Sequence, residues 1–160
     1  MADPERERAL LRDRLLGWGL AADPIYPGLD VGRDLVLTGG PNGTDFSRVR
    51  GIDCLSQDLK VAYTTMLGGD VFNTDFGFDG LRAFVEETNA ALLRERIRVS
   101  VIQVLRKDPR VRRILDVRLE REYVDRETQD VVSRLNAKVG FETVTGDQAV
   151  ADLGTGVLNG

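Results

Sequence analysis

A chain of 160 residues with 42% hydrophobic and 30% charged side chains has the make-up of a globular protein, long enough to bury roughly 70% of its unfolded surface. Its net charge of −4 excludes a surface built throughout to grip nucleic acid or anionic lipid, so any basic site must be local. With no histidine and a single cysteine, Cys54, the chain lacks the parts of a histidine-based triad, of a histidine general base, of the usual zinc sites and of an internal disulfide.

The first residues mix acids and bases and contain no apolar run long enough for a signal core or a membrane span. Together with the unpaired Cys54, this predicts a cytoplasmic protein with no direct membrane insertion. From Glu5 to Trp18, the residues Leu10, Leu11, Leu15 and Trp18 fall on one side of a helix, predicting an amphipathic element that packs on its own core or on a neighbouring subunit. Pro24, Pro27 and Gly28 break that pattern, and residues 19–33 read as an irregular connection. Leu35 to Thr38 reads as a strand, residues 39–43 as a turn, and Phe46 to Ile52 as the returning strand of a hairpin. Asp53 is placed to cap a helix whose apolar positions Leu55, Leu59, Ala62, Tyr63 and Met66 repeat at helical spacing up to Gly68 and Gly69.

Residues 70–80 combine three aromatic rings with turn formers, which predicts an ordered loop pinned by those rings. Thr88 or Asn89 caps the longest helix, where Leu93, Ile97, Val101, Val104 and Leu105 line one face up to Lys107, and Pro109 forbids its continuation. The period then changes to two. Leu115, Val117 and Leu119 alternate with charged residues, Asp125 to Asp130 forms a polar turn, and Leu135, Ala137, Val139 and Phe141 alternate in a second, antiparallel strand. From Thr145 the chain is rich in glycine and short polar residues and reads as a flexible tail over 145–160. The expected fold is therefore α+β, a small antiparallel sheet carrying two main helices, with an additional N-terminal amphipathic helix. The expected segments are 1–50, 51–144 and 145–160.

Most motifs for chemistry fail on inspection. Residues 39–44, GGPNGT, lack the lysine and spacing of a phosphate loop and fit a hairpin turn. Asp75, Phe76 and Gly77 match the kinase magnesium motif, but no catalytic-loop histidine exists. Asp70, Asp75 and Asp79 fit no register of a calcium loop, and these acids with Glu86 and Glu87 have no motif that isolates one as a glycosidase acid. No cofactor or metal is expected. The charge distribution says more: from Arg94 to Arg113 there are eight bases (Arg94, Arg96, Arg98, Arg106, Lys107, Arg110, Arg112, Arg113) against two acids, a local +6 in a chain of −4. Such a stretch suits docking against an acidic protein surface or forms a solvated helix face, and without interleaved aromatics it does not suit nucleic acid.

Three blocks carry a family resemblance: a helix bearing Gln57 and ending in Thr65, Leu67 and Gly68; a loop with Phe76 and Gly77 followed by Leu81; and Asp108, Pro109 and Arg110 between helix and strand. Over roughly residues 51–141 their order resembles the small baseplate wedge subunits of contractile phage tails, type VI secretion baseplates and extracellular contractile injection systems, with Asp108 where that family has glutamate. The resemblance implies a non-enzymatic structural subunit, present in several copies in a symmetric baseplate. Its partners would be baseplate wedge proteins and the sheath protein. Asp108, Pro109 and Arg110, with Arg94, Arg98, Arg112 and Arg113, would then contact wedge proteins. A small sheet that cannot close leaves an edge, and sheath recruitment is expected by strand addition to the strands containing Leu115, Val117, Leu119, Leu135, Val139 and Phe141. The alternatives are a muramidase-like tail hydrolase and a regulatory adaptor on the same fold.

Overall fold

Asp3 and Pro4 begin the first helix, α1 (Pro4–Leu16), for local reasons. The Asp3 carboxylate accepts the Glu5 N–H at 3.1 Å, and proline in the first turn has no N–H to lose. Gly17, at φ 84°, ends it. Only Leu16 of this helix is buried; Leu10, Leu11 and Leu15 stay exposed, and Trp18 belongs to the strand that follows rather than to the helical stripe. The computed structural model describes residues 3–26, 29–124 and 132–158, and the chain divides into two units, Met1–Gln57 and Asp58–Gly160. That division falls inside a helix.

Where an irregular connection was expected, the first unit builds three two-stranded antiparallel ribbons. β1 (Trp18–Leu20) pairs with β6 (Arg48–Arg50), β2 (Ala22–Tyr26) with β3 (Leu29–Leu35), and β4 (Leu37–Gly40) with β5 (Gly43–Phe46). Single residues separate consecutive strands at the base of the ribbons, and these close a ring. Ala21 N–H donates to Ser47 O at 2.9 Å, Ser47 N–H to Val36 O at 2.7 Å, and Val36 N–H to Ala21 O at 3.0 Å. All six backbone groups at the junction are thereby satisfied. Pro24, which signals a break in sequence, lies opposite Arg33 where the register shifts, a position that tolerates a missing ladder donor. A hairpin forms around the expected turn at Pro41 and Asn42, but Leu35 belongs to β3 and the returning strand is Gly43–Phe46 rather than Phe46 to Ile52; β6 ends at Arg50 because helix α2 (Gly51–Thr64) starts at once.

Asp53 lies in the first turn of α2, where a carboxylate favours the helix dipole, rather than at its cap. Cys54, Leu55, Leu59, Ala62 and Tyr63 are buried at the expected spacing, but the helix stops at Thr64, so Met66 is outside it and exposed.

The second unit holds the larger core. Phe78 is buried and lies against Tyr63 with ring centroids 4.3 Å apart. Its backbone pairs with Thr65 and Leu67, and Gly80 leaves the space its ring occupies. Phe76 is half-buried, but Phe72 is solvent-exposed, so the rings pin only one end of the loop. Helix α3 (Gly80–Glu86) leads to α4 (Ala90–Lys107), which Asn89 caps through bonds from Ala91 N–H at 2.9 Å and Leu92 N–H at 3.4 Å. The five apolar positions expected to face inward on α4 are all buried, each such side chain contributing about 1.5–3 kcal/mol on transfer from water.

α4 packs along β7 (Val111–Val124), the first strand of a three-stranded antiparallel sheet with β8 (Val132–Thr143) and β9 (Gln148–Leu158), in the order β7-β8-β9. The register sets Val117 opposite Val139 and Leu119 opposite Ala137, and Val139 in turn opposite Ala151. Leu119, Ala137, Val139, Phe141, Ala151 and Leu153 are buried. Leu115 falls at a bulge between Ile114 and Asp116 and is exposed, out of phase with Val117 and Leu119. The 145–160 stretch is not a free tail through residue 158: Thr143 N–H donates to Asp147 O at 2.9 Å, Gly146 turns at φ 83°, and β9 completes the sheet. Alanines at 149 and 151 supply the alternation there, a weak apolar signal beside the glycines. The polar turn expected at residues 125–130 lies outside the described residues. The molecule is thus mixed α+β, with the early hairpin in a ribbon of its own rather than in this sheet. Among the described residues no helix is long and apolar enough to cross a membrane.

Candidate functional site

Pro109 ends α4, and the chain turns through Asp108 into β7. At this corner Arg110 is held by two carboxylates. Its Nε and Nη2 donate to Asp108 Oδ1 and Oδ2 at 2.9 and 2.7 Å, and its Nη1 donates to Asp58 Oδ2, on α2, at 2.8 Å. The Arg110 N–H adds a fourth bond to Asp108 Oδ1 at 2.9 Å. Burial pushes the Asp108 carboxyl up, but the hydrogen bonds from Arg110 outweigh it and leave the group below the usual carboxylate range. The same bond to Asp108, ahead of the opposing burial, holds the Arg110 guanidinium above its ordinary value. The side chains of Asp108 and Arg110 are only 15% and 23% exposed, so this fork is structural as well as electrostatic.

Beside the fork lies a cleft of about 990 Å³. Val61 and Ala62 of α2, Phe76 and Gly77 of the loop, and Val104 and Pro109 form its apolar lining, with Asp58, Asp75, Lys107, Asp108 and Arg110 as polar members. Gly77 is required there: at φ 112° its added Cβ would sit 2.7 Å from Thr65 O. Lys107 fastens the loop to α4 by donating to Asp75 O at 2.7 Å. An apolar lining with a few fixed polar groups suits a protein segment that buries side chains and orients itself by charge.

The loop block and the corner block, about 30 residues apart in sequence, therefore meet across α2 at one cleft. Gln57 does not line it. Its Oε1 accepts Ala22 N–H at 3.0 Å and its Nε2 donates to Leu20 O at 2.8 Å, satisfying backbone on both sides of the ring residue Ala21. Gly68, at φ 77°, donates its N–H to Phe76 O at 3.4 Å. Leu81 lies in α3 and Leu135 in β8, with their side chains outside the described set.

The basic stretch is mostly engaged within the chain. Arg94 Nη2 donates to Leu119 O on β7 at 3.0 Å, Arg98 pairs with Glu95 at 3.1 Å, and Arg112 and Arg113 share Glu142 at 3.2 and 2.8 Å. Arg96 binds Glu86 and Glu87 at 2.8 and 3.2 Å, so two of the acids considered for glycoside chemistry flank a guanidinium. Among the described residues no cluster of three or more potential ligands could hold a metal ion. Asp58 and Val61 carry no signal in the sequence, since an acid and a valine on a helix surface form no motif, and Lys107 shows there only as one base of the basic stretch.

The sheet also corrects the expected strand-addition residues. β8 is the central strand, so Leu135, Val139 and Phe141 lie on a strand paired along both edges, and Val139 and Phe141 are core. The free edges belong to β7 and β9, and Arg94 already occupies the Leu119 carbonyl of β7. No protein-family model matches the chain, and no curated protein matches it.

Proposed function

We propose that the chain is a non-catalytic structural subunit of the baseplate of a contractile phage-like tail or injection system, which docks a wedge protein in the Asp108–Arg110 cleft and recruits sheath protein by strand addition to β9. The observation that carries the reading is the convergence of Phe76, Gly77, Asp108, Pro109 and Arg110 on one apolar cleft against α2. A glycine that tolerates no side chain and an arginine fork held by carboxylates from α2 and from the corner after α4 keep that cleft in one shape, which favours docking over induced closure. β9 supports the second half of the reading as an 11-residue edge strand whose Val150 faces solvent.

The test uses purified chain mixed with purified wedge and sheath proteins from the same particle. Wedge binding should protect amides of residues 104–110 and 58–62 from exchange, and sheath binding should protect those of residues 148–152. Val61→Arg should abolish wedge binding alone. Failure of both proteins to bind, or clearing of peptidoglycan by the chain at a rate tied to one acidic side chain, would sink the reading.

A further inference from the structure

The loop before the cleft carries two apolar side chains into solvent, Val71 at 85% and Phe72 at 99% exposure. A slack loop does not explain them. Asp70 Oδ1 accepts Phe72 N–H at 2.9 Å, Asp70 O accepts Asn73 N–H at 3.2 Å, Asn73 O accepts Phe76 N–H at 3.0 Å, and Lys107 clamps Asp75. A braced turn thus holds a rigid aromatic knob outward, and aromatic knobs are the commonest anchors of protein interfaces. The next residues, Asn73, Asp75 and Phe76, line the cleft.

We propose that the free protein forms a two-fold homodimer in which Phe72 of each copy enters the cleft of the other. It rests on the docking reading above only in its consequence: the dimer covers the cleft until a wedge protein displaces the knob. Symmetry favours a second copy as the occupant, because a knob adjacent to its own hole is self-complementary under a two-fold axis, each contact being made twice. Size agrees, since a cleft of about 990 Å³ admits a phenylalanine ring with its loop. Charge agrees as well. Residues 70–80 carry Asp70, Asp75 and Asp79 and no base, whereas the five bases of residues 106–113 meet three acids among the described residues, Asp108, Asp58 and Glu142, and keep a positive balance. Arg106, Lys107, Arg112 and Arg113 are exposed. Each acidic knob loop would meet the basic corner of the opposite copy.

Sedimentation equilibrium over micromolar to millimolar concentration tests this with the full chain, Phe72→Asp and Val61→Trp, both changes at exposed positions, with circular dichroism checking that each variant keeps the parent fold. The parent chain should dimerise, and each variant should raise the dimer dissociation constant about thirtyfold or more. An equimolar mixture of the two variants should associate more tightly than either alone, because the knob of one and the open cleft of the other restore one of the two contacts. A parent chain monomeric at about 1 mM, variants that dimerise normally, or a mixture without recovery would each overturn the dimer. Phe72→Asp should also bind wedge protein at least as tightly as the parent chain. Weaker binding by that variant would overturn the masking role. If no form binds wedge protein while the dimer results hold, the baseplate reading fails and the dimer stands.

Discussion

The two units hold their strands by different means. In Asp58–Gly160, three long strands share one sheet and bury Leu119, Ala137, Val139, Phe141, Ala151 and Leu153 on one face. In Met1–Gln57, the strands are three to seven residues long and paired only two by two, and Leu20, Ile25, Leu35, Leu37 and Phe46 remain exposed. Two-stranded ribbons are marginal in water when they stand alone, so the ribbons of the first unit depend on their polar junction where the sheet of the second depends on apolar burial. Two regions rich in β-structure can therefore have different points of failure.

Truncating one ring in each unit separates the two means of holding strands. Phe141→Ala removes a fully buried side chain from the central strand and should cost about 3–5 kcal/mol in urea denaturation. Phe46→Ala, on an exposed ribbon position, should stay within about 0.5 kcal/mol. Similar losses would mean that the ribbons carry a hydrophobic core of their own.

Arg110→Ala probes a polar fastening inside the apolar unit. It strips a mostly buried Asp108 of its charged partner and should cost about 1.5–3 kcal/mol at neutral pH, more than an exposed arginine would. The pH dependence separates this from lost packing. The Asp108 carboxyl is held below its ordinary value of 3.8, so between the two values the unfolded chain binds the extra proton and stability rises with pH. The contribution is fully present above that ordinary value and is lost as pH falls through the lower folded one. Chemical denaturation from pH 6 down to pH 2 should show a shallower acid limb in the variant. An unchanged acid limb would assign the loss to packing.

A smaller effect than that of Arg110→Ala is also more local. Gln57→Ala removes the two bonds that flank Ala21 and should cost about 1 kcal/mol, with faster exchange of the Ala22 amide and little change at Ala137 or Val139. Uniformly faster exchange would show that the two units open together.

The sequence was informative where one physical cause dominated. α4 could be read almost to the residue because apolar spacing, the Asn89 cap and the Pro109 stop agree. β7 and β8 were legible from alternation, although the bulge at Leu115 was not, because an inserted residue shifts the phase without changing composition. β9 was missed because alanine and glycine carry little apolar signal and its hairpin turn is polar. The ribbons were hidden for a different reason. Their ring joins residues 21, 36 and 47 through backbone atoms alone, which leave no mark on side-chain pattern. At the site, the corner was visible as a motif, but its second anchor, Asp58, lies 52 positions upstream and acts only through the fold.

The ring at Ala21, Val36 and Ser47 also makes the first unit a mount for foreign sequence. Each ribbon is fastened at its base, so the Pro41–Asn42 tip can lengthen without disturbing the point where the three meet. Doubling a flexible loop there adds only about 0.6 kcal/mol of closure entropy. A short epitope or fluorophore tag inserted between Pro41 and Asn42 would therefore stay exposed to solvent while the other two ribbons keep their register.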